Sequence, residues 1–192
     1  MLDPARSFDI IGDVHGCALT LERLLDALGE TGAKVISIGS FAHPKWTPSM
    51  AERSRRSVGA TIAAARQAGS LVVVAAGNDG STVDSPANCP GAFGVAAIDQ
   101  EGLKANYSNF GPSIQLSAPG GDAAFPIWSA SNTGSDGTLT NTYNTKIGTS
   151  FSSPMVAAAA SLYWSLNPSA SVSNVEAALQ SSARPFLSLA GT

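Results

Sequence analysis

Charged side chains are scarce in this 192-residue sequence: Asp, Glu, Lys and Arg make up 13% of it and sum to −3. A protein that grips nucleic acid needs a basic face for the phosphates. The one basic cluster, Arg53, Arg55 and Arg56, falls in an Ala-rich helical pattern and reads as a solvated face, so a nucleic-acid partner is not expected. Long apolar runs are missing as well. No stretch approaches the about 20 apolar residues of a membrane-spanning helix, and Met1 to Phe8 lacks the charged and apolar regions of a signal peptide. Cysteine is limited to Cys17 and Cys89, which allows at most one disulfide, and no CxxC spacing suggests a metal site. Histidine is limited to His15 and His43.

What the chain does hold is apolar residue, 44% of the total, enough for one compact core and too little chain for two comfortable domains. Its Gly, Ala, Ser and Asn content resembles that of secreted hydrolases. Phe8 to Gly12 is a short apolar run, followed by Leu21, Leu24, Leu25 and Leu28 at helical spacing and by Gly29, which predicts a strand, a turn and a helix. Lys34 to Ile38 resumes as a strand. Ser49 to Ala68 predicts a helix ending at Gly69, and Leu71 to Ala76 is an unbroken apolar strand. Continuously apolar strands separated by helices imply a parallel sheet covered on both faces.

Further strands are expected at Phe93 to Ile98 and Ile114 to Ala118, joined by irregular connections, and Ser129 to Tyr143 reads as a surface hairpin or mobile loop. Phe151 to Trp164 predicts an Ala-rich helix so uniformly apolar that it should run buried through the core. A last helix is expected from Ser173, with Ser173 and Glu176 as a capping box and Val175, Ala178 and Leu179 on its inner face.

The candidate chemistry begins at Gly148-Thr149-Ser150-Phe151-Ser152-Ser153-Pro154, directly before the Ala-rich helix. A serine at a helix N-terminus is held rigidly where free amides and the positive helix end face the negative charge of acyl transfer. The plainer alternative is an ordinary N-cap. Upstream, Val72-Val73-Val74-Ala75-Ala76-Gly77-Asn78-Asp79-Gly80 is a buried strand ending in a polar turn, where Asn78 taken alone would be a turn residue.

Together these segments resemble the GTSxxxP and AAGN motifs of the subtilases, the subtilisin-like serine proteases. Tyr107-Ser108-Asn109-Phe110-Gly111 and Ser117-Ala118-Pro119-Gly120-Gly121 resemble that family's YSNxG and SAPGG segments, and Cys89-Pro90 with Phe93 to Asp99 its small Ala/Val-rich strand. The resemblance covers residues about 31–184. It implies an α/β fold, a three-layer sandwich with a mostly parallel but incomplete subtilisin-like sheet. It also implies a serine endopeptidase acting on polypeptides, with Ser150 as nucleophile and Asn78 as oxyanion donor. Ser37, Ile38, Gly39, Ala76 and Gly77 would line the substrate path, their backbone pairing with an extended peptide. Where the family often continues Pro-His-Val-Ala, this chain has Pro154-Met155-Val156-Ala157, a packing change.

The resemblance implies a secreted monomer, without nucleic-acid or membrane partners and without a cofactor, although structural calcium occurs in the family. The chain as given carries no export signal and would stay in the cytoplasm.

Residues 1–30 carry a different likeness. Phe8-Asp9-Ile10-Ile11-Gly12-Asp13-Val14-His15-Gly16-Cys17 resembles the GDxHG motif of calcineurin-like metallophosphoesterases, in which Asp13 and His15 could ligate one metal of a two-metal site. The GDxxDRG and GNH segments that family also needs are absent, as are the DTG and HGTHVAG segments that supply the subtilase aspartate and histidine. A serine is a weak nucleophile until a histidine takes its proton and a carboxylate orients that histidine. His15 and His43 are the only candidates for that base. The expectation is therefore a strand-helix segment over 1–30, a partial subtilase catalytic domain over 31–192, and doubtful activity, with a non-catalytic fusion product or a metal-dependent phosphoesterase as alternatives. Cys17 and Cys89, lying in segments of different resemblance, should be free thiols.

Overall fold

The computed structural model describes residues 34–39, 48–83, 85–134 and 139–185. The expected strand at Phe8 to Gly12, the leucine-patterned helix, Asp13, His15, Cys17 and His43 lie outside these residues. Four strands, β1 (Val35–Ile38), β2 (Leu71–Ala75), β3 (Ala92–Ile98) and β4 (Ile114–Pro119), form one sheet in that order, every pair parallel. Helix α1 (Pro48–Gln67) joins β1 to β2, while β2 to β3 and β3 to β4 are joined by turns, as the short polar spacings require. An antiparallel hairpin of β5 (Ile127–Asn132) and β6 (Asn141–Lys146) stands outside the sheet, and helices α2 (Thr149–Leu166) and α3 (Val172–Ser182) complete the described elements.

Period-two alternation in the strands sorts their side chains to opposite faces. Ile36, Ile38, Val72 and Val74 meet Val58, Ile62 and Ala65 of α1 on one side. On the other, Val35, Leu71, Val73, Phe93 and Val95 meet Val156, Ala157, Ala160 and Trp164 of α2 and Val172 and Val175 of α3. This is the α/β three-layer arrangement the unbroken apolar strands imply. Arg66, in the last turn of α1, ties the layers together through a bidentate ion pair with Glu176 of α3, Nη2 to Oε2 at 2.6 Å.

Two expectations need correction. The last helix begins two residues earlier than expected: Ser171 is the N-cap, and its capping box is closed by Asn174 rather than formed by Ser173 and Glu176. Burying Val172 and Val175 on one face fixes this phase, and Glu176 is drawn instead to Arg66. Ser171→Ala should therefore cost about 1 kcal/mol in a urea titration, whereas Ser173→Ala should stay within about 0.5 kcal/mol. Equal effects would restore the sequence-based register.

The second correction concerns α2, which is not enclosed on all sides. Met155, Leu162 and Leu166 are 39%, 68% and 82% exposed, and Ala158 and Ala159 are exposed beside them. A helix lying on one sheet buries one stripe, and among the described residues nothing covers the other. Composition alone does not distinguish a helix covered twice from one covered once.

Candidate active site

Because all four strands run the same way, their C-terminal ends meet along one edge, the usual place for a ligand site in an open α/β sheet. The chain leaves β1 at Gly39, β2 at Ala76–Asn78 and β4 at Gly120, and α2 starts against these exits.

Gly148, the N-cap of α2, has φ 149° and offers no side-chain cap. The cap arrives from β2. Asn78 Oδ1 accepts the Thr149 N–H at 2.8 Å and the Thr149 hydroxyl at 2.9 Å, and Thr149 Oγ1 in turn accepts the Gly77 N–H at 3.2 Å. With its oxygen committed, the Asn78 side chain keeps its Nδ2 amide without a hydrogen bond among the described residues, and that nitrogen would lie 3.5 Å from a Cβ placed on Gly148. A pinned donor thus faces the turn that carries Ser150. Ser150 is half-buried and Asn78 exposed at the mouth of the site. Pro154, one turn into the helix, has no N–H to spend on the Ser150 carbonyl.

The turn after β2 is shaped from below by Asn109. Its Oδ1 accepts the N–H groups of Asp79 at 2.9 Å and Ser81 at 3.2 Å, and its own N–H donates to the Gly77 carbonyl at 3.0 Å. Gly77 has φ +107°, and a Cβ there would lie 2.4 Å from Asn109 Nδ2, so only glycine fits. Gly120 is as confined: a Cβ would fall 2.6 Å from Tyr107 Oη and 2.8 Å from Ser152 Oγ. Its carbonyl accepts the Gly148 N–H at 2.9 Å, which seats the start of α2 on the end of β4.

Among the residues expected to bind substrate, Ser37 and Ile38 turn their side chains inward. Ser37 Oγ hydrogen-bonds Ser153 Oγ of α2 at 2.8 Å, and Ile38 is fully buried against α1. Ala76 and Gly77 are buried behind Asn78, and Gly39 is buried at the β1 exit. None of these five residues turns an exposed side chain toward this edge. Motif reading missed Thr149 and Asn109 as positioning residues; the YSNxG match contained Asn109, but nothing in the pattern says which backbone groups its amide holds.

Tyr107 lies behind the site, where burial raises its phenol above its ordinary pKa. The Gly148 backbone pulls it back, and the nearby Asp122 and Asp99 carboxylates reinforce the rise. Asp122 is held below the usual carboxylate range, chiefly by the Phe125 N–H, with the Ala124 and Gln100 backbone adding to it. Cys89 is buried against α1, with its Sγ 3.6 Å from the Arg55 carbonyl. Among the described residues no group of three or more His, Cys, Asp or Glu could hold a metal ion, and no helix is long and apolar enough to cross a membrane.

A parallel sheet between helix layers, with a serine on the first turn of a helix and an asparagine amide fixed beside it, defines the class as an α/β protein with its candidate site at the C-terminal edge of the sheet. The family model for the subtilase family matches residues 16–190, and the chain belongs to that family. The match takes in the second half of the segment whose first motif resembles metallophosphoesterases. An extracellular protease of Xanthomonas campestris is 38% identical over 176 residues, covering 88% of this chain and 30% of that protein. Thermitase of Thermoactinomyces vulgaris is 38% identical over 118 residues, covering 60% of this chain and 37% of thermitase. Among solved structures, a protease from Pseudoalteromonas arctica matches with a TM-score of 0.68 at 32% identity, over 80% of this chain and 45% of that one. The chain therefore spans about a third to a half of the length of these relatives.

Proposed function

We propose that this chain is the nucleophile-bearing part of a secreted subtilisin-like serine endopeptidase, and that these 192 residues by themselves turn over peptide bonds slowly or not at all. Ser150 would attack the carbonyl of a polypeptide, and Asn78 Nδ2 would receive the oxyanion. The observation that carries this reading is the pinning of Asn78 Oδ1 by Thr149, which leaves the amide as a donor at the serine's turn. A donor fixed in advance stabilises the developing charge without reorganising during the reaction. The DTG and HGTHVAG segments do not occur in the sequence, so a longer chain or a second polypeptide would have to supply the base. The setting outside the cell rests on relatives that carry the word extracellular in their names, among them those of Xanthomonas campestris, Natrialba magadii and Dichelobacter nodosus.

A serine-directed fluorophosphonate followed by peptide mapping tests both halves. Folded wild type is expected to be labelled slowly at Ser150, and Ser150→Ala not at all. Complete absence of labelling on folded protein would sink the nucleophile assignment. Peptide hydrolysis at an ordinary protease rate that vanishes in Ser150→Ala would instead overturn the claim that the base is missing.

A further inference from the structure

A cavity of about 510 Å³ opens at the C-terminal ends of β3 and β4, outside the hydrogen bonds that place Ser150. Tyr107, Phe125 and Ile147 give it apolar walls, and Asp99, Glu101 and Asp122 give it acidic ones. No lysine or arginine lines it among the described residues. Lys104, adjacent in the chain, spends its ammonium on the carbonyls of Ala105 at 3.1 Å and Ser108 at 3.3 Å, near the Phe110 ring. Lys146 belongs to the hairpin, paired with Ile127.

Two of the carboxylates are fixed in place. Asp99 Oδ1 accepts the N–H groups of Glu101 at 3.0 Å and Leu103 at 2.9 Å, and Asp122 Oδ1 those of Ala124 at 2.7 Å and Phe125 at 2.9 Å. Both loops therefore hold their negative charge beside the cavity without a cation paired to it among the described residues. The wall is continuous with the nucleophile's turn: Ile147 stands three residues before Ser150, and Tyr107 Oη donates to the Gly121 carbonyl at 2.8 Å beside the Gly148–Gly120 hydrogen bond. Ser152 Oγ is fully buried with no hydrogen-bond partner among the described residues, and it borders the same crowded point above Gly120 as Tyr107 Oη.

The sheet order gives the cavity its direction. A peptide meeting the β1 exit and crossing the Asn78–Ser150 turn at the β2 exit continues toward β3 and β4, where the cavity lies. We infer that the cavity is a subsite for a lysine or arginine side chain, carried by the substrate on the side of the scissile bond away from β1. The apolar walls suit the aliphatic stem of such a residue and the carboxylates its charged head. This inference rests on the endopeptidase reading for its substrate and on the cavity for its selectivity.

The test measures binding to the full chain, so it needs no turnover. The amidated peptides Ala-Ala-Arg-Arg, Ala-Ala-Ala-Ala and Ala-Ala-Glu-Glu are titrated into ¹⁵N-labelled protein at low salt. The arginine peptide is expected to bind tightest and to shift the amides around Glu101, Tyr107 and Phe125. Asp122→Asn and Glu101→Gln, which keep side-chain shape and hydrogen-bonding oxygens, should each weaken it by roughly two- to fivefold, the range for an exposed ion pair. In 1 M NaCl the preference should collapse. Equal binding of the three peptides, or arginine binding unchanged in both variants, would overturn the subsite. Fluorophosphonate labelling of Ser150 without any charge preference would remove the subsite alone, whereas a charge preference in protein that is never labelled would remove only the nucleophile reading.

Discussion

Trp164→Ala should lower the unfolding free energy by about 3–5 kcal/mol, the usual cost of emptying a large aromatic site in a core. Trp164 is 3% exposed in the cluster formed by Val35, Leu71, Val73 and Phe93 with α3. Its indole Nε1–H also donates to the Ala170 carbonyl at 2.8 Å, across the turn that carries α2 into α3. The truncation therefore leaves a void and a carbonyl without its partner. Leu166, two residues on and 82% exposed, is the internal control: Leu166→Ala should stay within about 0.5 kcal/mol. A urea titration of both variants gives the comparison. A similar loss at the two positions would mean that α2 is covered on its outer face as well.

Asn78→Ala should slow phosphonylation of Ser150 by a fluorophosphonate about 10²–10³-fold, a magnitude established with subtilisin's own oxyanion asparagine rather than obtained from this chain. The phosphoryl oxygen of the reagent occupies the hole that a peptide oxyanion would. The same substitution also removes the acceptor for the Thr149 N–H and hydroxyl, so a stability loss of about 1–3 kcal/mol should accompany it. Thr149→Val separates the two effects. It keeps Asn78 and the backbone N–H bond to its carbonyl, removes the hydroxyl's bond to that carbonyl and leaves the Gly77 N–H without its acceptor. Its labelling rate should fall between wild type and Asn78→Ala. A rate equal to wild type would show that the hydroxyl adds nothing to the hold of the backbone N–H on Asn78.

The strands were legible because their chemistry is local. Leu71–Ala75 is apolar at every position and Val35–Ile38 at all but Ser37, and a strand covered on both faces accommodates that pattern in so few residues. Helix α1 was placed to within a residue at each end, since Gly69 stops it and the following apolar run cannot continue it. The hairpin was placed approximately, with its apolar and aromatic positions at Ile127, Trp128 and Tyr143 bracketing the polar stretch. Ser150 and Asn78 were singled out through motifs whose order matches the family, and the structure brings their two turns together through Thr149.

Other features depended on groups far apart in sequence. The N-cap of α3 was misplaced because Ser171 and Ser173 both precede helix-compatible residues, and the choice between them is made by Val172 and Val175 packing on the opposite layer. The outer face of α2 was taken as buried because apolar composition records what a helix could bury, not whether a neighbour is there. Ser37 offered no sign that its hydroxyl would meet Ser153 at 2.8 Å, and Asn109 none that its amide would hold the turn at Asp79 and Ser81.

By itself, then, the sequence determined that a parallel α/β sheet would form, because periodicity and glycine-bounded turns are properties of neighbouring residues, and its resemblance to the subtilases marked which serine and which asparagine stand at the edge. The tertiary structure decided which atoms of that edge are committed and which stay available. Asn78 spends its oxygen on Thr149 and keeps its nitrogen, while Asp99 and Asp122, 23 positions apart, come to border one cavity. These outcomes follow from strands separated in the chain ending side by side, which no local pattern encodes.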